Sequence, residues 1–134
     1  MLYKSSLEGI SENMLNGFFV GWPNPPEPNT HLKLLENSSH IVLAIDDKTE
    51  QVVGFITAIS DGVLSAYIPL LEVLPNYQKR GIGKQLVSHM LKQLEDIYMI
   101  DLMCDKDLQP YYEKLGMTRS TGMIVRNYTM QSGK

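Results

Sequence analysis

The sequence contains one cysteine, Cys104, among 134 residues. A single thiol cannot form a disulfide within the chain, and it suits a reducing compartment. No apolar run approaches the roughly 20 residues of a transmembrane helix, and the first residues lack the apolar stretch of a signal peptide. We therefore expect a cytoplasmic protein with no membrane partner.

Positive charge is also scarce, with 12 Lys and Arg residues against 15 Asp and Glu residues and a net charge of -3. A nucleic-acid-binding protein needs a basic surface to neutralise phosphates, so no nucleic-acid partner is expected. Hydrophobic residues make up 43% of the chain and charged residues 20%, which argues against global disorder. Length and composition together predict one globular domain that spans residues 1–134.

The spacing of apolar residues predicts the first elements of the chain. Helical spacing over residues 7–19 predicts an amphipathic helix, and the proline-rich residues 22–28 predict a stiff loop. A short helix should follow, capped by Asn29 or Thr30.

Strand patterns begin near residue 40. We expect a hairpin of residues 41–45 and 52–59, then a third strand over residues 63–74 that is bulged or unpaired at Pro69. A long helix, a strand, a short helix and a last strand should complete the chain, over residues 82–94, 98–103, 107–115 and 124–128. This order predicts an α/β fold, a mixed antiparallel and parallel sheet flanked by helices on both faces.

The most informative segment is Q-K-R-G-I-G-K, residues 78–84, between the third strand and the long helix. Gly81 and Gly83 lack side chains, so backbone N–H groups at the start of the helix can approach a ligand closely. Lys79, Arg80 and Lys84 add positive charge, and the combination suits a phosphate. The segment lacks the residues that a P-loop or a dinucleotide-binding turn requires. A plain glycine turn with a solvated basic rim is the alternative.

The pattern Q-x-x-G-x-G at residues 78–83 resembles the acyl-CoA signature of the GCN5-related N-acetyltransferase (GNAT) family. The segment L-E-V-L-P, residues 71–75, is similar to the fourth strand of that family. Downstream, Y-Y-E-K-L-G-M at residues 111–117 resembles its F-Y-E-K-L-G-F motif. The resemblance covers residues 41–128. It implies the acyl-CoA N-acyltransferase fold, with acetyl-CoA as the co-substrate.

The resemblance also implies a role for each matching residue. Tyr112 would lie near the coenzyme sulfur and protonate the leaving thiolate as a general acid, with core packing as the alternative. The N–H near Val73 would polarise the thioester carbonyl. The pantetheine arm would pair with the backbone of Leu71, Glu72, Val73 and Leu74. The pyrophosphate would be held by Gln78, Lys79, Arg80, Gly81, Ile82, Gly83 and Lys84.

Some positions depart from the family pattern. Asp105 stands where the family often has an Asn that contacts the coenzyme, and its alternative role is to cap a helix. Tyr67 and Pro69 stand where several members carry the base, and neither is a good base. Glu72 is the nearest carboxylate and becomes the candidate catalytic base. A salt bridge from Glu72 to a neighbouring cation, or a water chain to bulk solvent, is the alternative.

Other chemically active residues also have a structural alternative. Cys104 could carry an acyl group as a nucleophile, but a small buried thiol is the favoured interpretation. The three histidines show no ligand spacing, so no metal site is predicted. Phe18, Phe19 and Trp22 fall where the family walls its acceptor site, with core packing as the alternative for the two Phe residues.

These patterns predict an acyl-CoA-dependent N-acetyltransferase. It would move an acetyl group to a primary amine of a small molecule by direct attack in a ternary complex. One alternative is a protein acetyltransferase that acts on lysine or on an N-terminal amine. Another is a regulatory module that binds acyl-CoA without chemistry. The sequence leaves a homodimer open.

Overall fold

The computed structural model describes residues 1–134 and contains one six-stranded sheet. The strands are β1 (Leu2–Lys4), β2 (His40–Ile45), β3 (Val52–Ser60), β4 (Ser65–Ile68), β5 (Leu71–Val73) and β6 (Met99–Leu102). Their order in the sheet is β1-β2-β3-β4-β6, and β5 pairs with β3 further along that strand. The pairs among β1 to β5 are antiparallel and β4 with β6 is parallel, so the predicted mixed sheet is confirmed.

Three α-helices accompany the sheet, none of them long and apolar enough to cross a bilayer. They are α1 (Pro28–Asn37), α2 (Ile82–Gln93) and α3 (Gln109–Lys114). Short 3-10 turns lie at Glu12–Met14, Pro75–Tyr77, Lys106–Leu108 and Tyr128–Met130. Helix α1 begins with Pro28 as its first residue and Glu27 as its N-cap, so the predicted cap at Asn29 or Thr30 is wrong. Proline suits a first helical position because its missing N–H would have no partner there.

Two apolar clusters lie on opposite faces of the sheet, as expected for helices on both sides. The apolar stripe of α2, with Leu86, Val87 and Met90 fully buried, packs on one face. On the other face, Leu35 of α1 packs with Phe55 of β3 and with the buried side chains of residues 15–19. Truncating one of these buried side chains to Ala would cost about 2–5 kcal/mol of folding free energy.

Pro69 divides the predicted third strand into β4 and β5. Proline has no N–H to donate to a neighbouring strand. Before the break, Ala66 of β4 therefore pairs with Ser60 of β3. After the break, Val73 of β5 pairs with Gly54 of β3. The prediction of a bulge or unpaired position at Pro69 is confirmed, and its consequence is that β5 runs apart from β6.

The predicted helix over residues 7–19 does not form. Gly9, Gly17 and Phe19 have positive φ angles, which an α-helix cannot contain, and only Glu12–Met14 makes a helical turn. The apolar side chains at helical spacing are nevertheless inside, because Leu15, Phe18 and Phe19 enter the core from an irregular loop.

The predicted last strand, residues 124–128, does not form either. Residues 118–126 belong to no helix or strand and make no backbone–backbone hydrogen bond. At the other end of the chain, the structure adds β1, a three-residue strand at one edge of the sheet.

Candidate active site

A cleft of about 580 Å³ opens where β5 runs apart from β6. Strand β6 pairs with β4 only, so no strand covers the outer edge of β5. One wall of the cleft is β5 and the preceding Pro69, and the opposite wall is residues 102–105 with Tyr112 of α3. Twelve of the 17 lining residues are hydrophobic.

The backbone of β5 presents alternate groups to this cleft. Phe55 and Glu72 are directly opposite in the β3–β5 ladder, and the Leu74 N–H donates to the Val53 carbonyl at 2.8 Å. Backbone groups alternate in direction along a strand, so those of Glu72 and Leu74 face β3 and those of Leu71 and Val73 face the cleft. Of the four residues predicted to pair with the pantetheine arm, only Leu71 and Val73 therefore direct backbone groups toward the cleft.

The glycine turn begins α2 at one end of the cleft. Gly81 is the N-cap with φ of 81°, and Lys79 has φ of 63°, so two left-handed residues fold the chain back before the helix. The Gln78 amide Nε2 donates to the Val73 carbonyl at 3.0 Å, which ties the turn to β5. The first N–H groups of α2 have no partners within the helix and form an anion-binding end.

The turn carries positive charge that no carboxylate of the chain neutralises. Its cations Lys79, Arg80 and Lys84 take part in none of the four ion pairs of the structure. The Arg80 guanidinium lies over the Tyr77 ring at 5.0 Å from its centroid. The Tyr77 hydroxyl in turn donates to Asp46 at 2.5 Å, a bond that lowers the pKa of the Asp46 carboxyl. The hydrogen bond to Asp46 thus holds the Tyr77 ring on which the Arg80 guanidinium stacks.

Tyr112 is half-buried on α3, and its ring lines the cleft opposite β5. Burial, followed by the neighbouring Cys104, raises the pKa of Tyr112 to about 12, so its hydroxyl keeps its proton at neutral pH. That hydroxyl makes no hydrogen bond within the chain. It is therefore free to donate to an atom in the cleft.

Tyr111, next to Tyr112, points instead at the start of α2. A Cβ placed on Gly83 would stand 3.0 Å from the Tyr111 hydroxyl and 3.8 Å from Val73 Cγ2. Glycine at this position therefore makes room for a hydroxyl of the same chain. The two tyrosine rings meet edge to face with centroids 5.1 Å apart.

The Glu72 carboxylate binds the loop whose residues Val20 and Trp22 line the cleft. Its Oε1 accepts the Phe19 N–H at 2.8 Å, and its Oε2 lies 3.3 Å from the Val20 N–H. Phe19 has φ of 62°, an uncommon value for a residue with a side chain. The carboxylate offsets this strain with charge-assisted hydrogen bonds. The salt bridge considered for Glu72 is absent, because its partners are backbone amides.

The loop that Glu72 binds places some apolar side chains in the core and others at the cleft. Val20 and Trp22 line the cleft. Phe18 and Phe19 are buried, packed with Phe55, which is the alternative considered for them.

Two further predicted residues lie on the opposite wall. Asp105 precedes the 3-10 turn Lys106–Leu108, and its side chain makes no capping hydrogen bond. Cys104 is partly buried beside Tyr112. No three His, Cys, Asp or Glu side chains of the chain come together as metal ligands would.

Comparison with known proteins decides the family. The profile of the acetyltransferase (GNAT) family matches residues 7–117. The chain belongs to this family. The Pyropia yezoensis protein named as the uncharacterized N-acetyltransferase ycf52 is 33% identical over 104 residues, which are 75% of this chain and 59% of that protein. The chain thus spans less than two thirds of the length of the curated relatives it matches first.

Solved structures agree with the GNAT assignment. A Deinococcus radiodurans R1 protein assigned as an acetyltransferase superposes with a TM-score of 0.95 at 44% identity, covering 98% of this chain and 91% of that one. A GNAT-family acetyltransferase from Streptococcus pneumoniae TIGR4 gives 0.73 at 29% identity, covering 94% of this chain and 97% of that one. The predicted acyl-CoA N-acyltransferase fold is confirmed.

Sequence reasoning identified the GNAT motifs but missed how their side chains are connected. The bonds from Glu72 to Phe19 and Val20 join residues more than 50 positions apart, and no local pattern predicts them. The contact between Tyr111 and Gly83 was missed for the same reason. One available signal was the Tyr at position 111, where the family motif has Phe, because its extra hydroxyl needs space.

Proposed function

We propose that this GNAT chain transfers an acetyl group from acetyl-CoA to a primary amine in a ternary complex. One observation carries the proposal: Val73 of β5, Gln78 of the turn that leads into α2, and Tyr112 of α3 line one cleft. These are a strand edge, an anion site and a proton donor, which together suit a pantetheine arm, a pyrophosphate and a thioester.

The fit to acetyl-CoA rests on groups that the chain leaves unused, and these do not include the Val73 carbonyl, which accepts the Gln78 amide. Leu71 and Val73 direct backbone groups away from β3, and an extended ligand can pair with such an edge. The N–H groups of Ile82, Gly83 and Lys84 and the unpaired cations of the turn would hold the pyrophosphate. Asp105 on the opposite wall would contact the coenzyme through a water or a donor group rather than through a phosphate.

Acetyl-CoA supplies an activated acetyl group as a thioester. The Val73 N–H would donate to the carbonyl oxygen and stabilise the negative charge that develops there. The Tyr112 hydroxyl would donate to the departing sulfur. With its pKa raised to about 12, Tyr112 holds its proton firmly, so its hydrogen bond to the developing thiolate matters more than early proton release.

We propose that the proton of the amine leaves through water rather than through Glu72. Each Glu72 oxygen already faces a backbone N–H. Taking up a proton there would weaken the anchor of the loop at Phe19. Glu72 is then a positioning residue, which joins the wall of the acceptor site to the strand that holds the coenzyme.

The acceptor that suits this cleft is a small amine with an apolar portion. Val20, Trp22 and Leu108 present apolar surface around the opening between β5 and α3. An apolar wall favours an acceptor that buries carbon atoms beside its amine. The cytoplasmic location stays a prediction.

The test is thiol release from acetyl-CoA across a panel of small amines, lysine peptides and peptides with free N-termini. We expect turnover with amines that carry an apolar group. Turnover confined to peptides would favour the protein acetyltransferase, and CoA binding without turnover would favour the regulatory module.

Intact-protein mass spectrometry tests the ternary complex separately. After mixing with acetyl-CoA alone, no acetyl adduct should accumulate, and Cys104→Ala should keep most activity. A stoichiometric adduct that disappears in Cys104→Ala would replace direct attack with a covalent route through this thiol.

A further inference from the structure

The turn between β2 and β3 is connected to the glycine turn by one side chain, Asp46. Its backbone is held by the hairpin, because the Asp46 N–H donates to the Gln51 carbonyl at 2.9 Å and the Asp46 carbonyl accepts the Glu50 N–H at 2.7 Å. Its Oδ1 accepts the Lys48 N–H at 2.9 Å, and its Oδ2 accepts the Tyr77 hydroxyl. Both carboxylate oxygens therefore have partners, at a position that the hairpin fixes.

Tyr77 lies between this carboxylate and a cation of the glycine turn. Its ring is half-buried against the apolar cluster under α2, and its N–H donates to the Leu74 carbonyl at 2.9 Å. The hydroxyl of the ring contacts Asp46, and the face of the ring contacts the Arg80 guanidinium. Asp46 and Arg80 form no ion pair with each other, so the ring connects the two charged groups without letting them neutralise one another.

The hydrogen bond to Asp46 strengthens the attraction between the Tyr77 ring and Arg80. A hydroxyl that donates to a carboxylate leaves more negative charge on its ring, because linked hydrogen-bonding groups polarise one another. A more negative ring attracts a guanidinium more strongly. The bond also raises the pKa of Tyr77, so the phenol stays protonated and continues to donate.

Arg80 is thereby ordered beside the anion-binding end of α2 while its charge stays available. It directly precedes Gly81, the N-cap of that helix. A guanidinium offers several N–H donors in a planar arrangement that suits a phosphate. A side chain that is already ordered loses less rotamer entropy when a ligand binds, and an arginine without a carboxylate partner has no ion pair to break first.

We propose that Asp46 is a positioning residue for coenzyme binding, which acts through Tyr77 to hold Arg80 ready for a phosphate of acetyl-CoA. The inference rests on the proposed function and adds to it a residue 31 positions before Tyr77 in the sequence. Since no reacting atom is assigned to Asp46, it should affect the affinity for the coenzyme and not the chemical step. A negative charge near a phosphate site would by itself weaken binding, so the positioning effect has the opposite sign.

The direction of the change in CoA affinity tests the role of Asp46. Asp46→Ala should weaken CoA binding about three- to tenfold in calorimetry, whereas the loss of a negative charge alone would tighten it. KM for acetyl-CoA should rise by a similar factor, with kcat within about twofold of the wild type. Unchanged or tighter binding of CoA by Asp46→Ala would overturn the proposal.

The matched control is Asp47→Ala, which removes the same charge from the next position of the same turn. The Asp47 carboxylate pairs with the N-terminus of the chain at 3.5 Å and not with Tyr77. Its loss should leave the CoA affinity within about twofold of the wild type. An equal weakening by Asp47→Ala would contradict a specific role for Asp46.

Two further variants test whether the effect passes through Tyr77 and Arg80. Tyr77→Phe keeps the ring and removes the hydroxyl, so it should weaken CoA binding as Asp46→Ala does. It carries the test if Asp46→Ala unfolds the hairpin. In an Arg80→Ala background, Asp46→Ala should cost no further affinity, because the cation that it positions is gone. Equal losses with and without Arg80 would refute the route through this residue.

The CoA affinity of the wild type separates this inference from the proposed function. A wild type with no measurable affinity for CoA would refute both. A wild type that binds CoA no more tightly than Asp46→Ala and Tyr77→Phe would exclude the role of Asp46 and leave the proposed function standing.

Discussion

The hydroxyl of Tyr111 lies 3.0 Å from the point where a Cβ on Gly83 would stand. Tyr111 belongs to the Y-Y-E-K-L-G-M motif and Gly83 to the glycine turn, so this contact joins α3 to the start of α2. The hydroxyl is at the end of a rigid ring that packs against Tyr112. It cannot move aside without moving the ring.

Gly83→Ala should therefore be destabilising in the wild type and favourable when Tyr111 is Phe. Gly83 does not have a positive φ, so Ala fits the backbone, and Ala in a helix is better than Gly by about 1 kcal/mol. We expect a coupling free energy of more than about 1 kcal/mol between the two changes, measured by urea unfolding of both single variants and the double variant. Additive effects would contradict a direct contact.

Tyr112→Phe should slow turnover roughly a hundredfold and leave the affinity for CoA and the melting temperature nearly unchanged. The change keeps the ring and deletes only the hydroxyl, whose proposed partner carries charge only in the transition state. Steady-state kinetics and calorimetry with CoA measure the two effects.

The control for Tyr112 is Tyr111→Phe, which should keep turnover within about twofold of the wild type since no reacting atom is assigned to it. The reverse pattern would show that the two tyrosines have exchanged roles. Because the pKa of Tyr112 is about 12, its ionisation should also cause no loss of turnover up to about pH 10.

The substitution Glu72→Gln distinguishes a positioning role for Glu72 from a role as the catalytic base. The amide keeps one oxygen for the Phe19 N–H but places an NH2 group beside the Val20 N–H. We expect KM for the amine to rise several-fold, with kcat nearly unchanged and the acid limb of the pH profile retained. Glu36→Gln, exposed on α1, is the control. A roughly hundredfold or greater loss of turnover, together with loss of the acid limb, would identify Glu72 as the base instead.

Acid should destabilise the fold through His31. This side chain is 1% exposed among Phe18, Phe19 and Phe55, and neither ring nitrogen has a hydrogen-bond partner. Burial lowers the pKa of His31 from 6.5 to about 4. The unfolded chain therefore takes up a proton between these two values while the folded chain does not, so the free energy of unfolding falls as the pH drops through this window.

The total loss from His31 is up to about 3 kcal/mol, at roughly 1.36 kcal/mol for each pH unit. Urea unfolding at several pH values measures it. His31→Leu removes the titration and should show a shallower pH dependence than the wild type between pH 6.5 and about 4. Identical slopes in the two proteins would mean that His31 is protonated without unfolding.

The parts of the fold that sequence reasoning predicted are those in which local pattern and final environment agree. β2 and β3 are continuous apolar runs buried on both faces, and α2 has one apolar stripe that becomes fully buried. The turn at Gly81 could be predicted because the signals for it are local: a glycine, which adopts the left-handed conformation easily, directly precedes the apolar stripe of α2.

The errors arise where the pattern alone does not decide the backbone. Residues 7–19 have helical spacing, but left-handed backbone at Gly9, Gly17 and Phe19 interrupts any helix. Residues 124–128 have a strand pattern, yet a strand needs a partner, and these residues pair with no strand of the sheet. The bonds of Glu72 depend on the tertiary path of the loop and could not be predicted from sequence.

Glu72 binds its loop through the N–H groups of Phe19 and Val20. Every residue except proline has such an N–H, so the attachment does not depend on which side chains the loop carries. Val20 and Trp22 can therefore be exchanged for other residues while the wall stays fastened to β5. If this loop walls the acceptor site as we propose, residues that select the acceptor can change without loss of the carboxylate that fastens the wall.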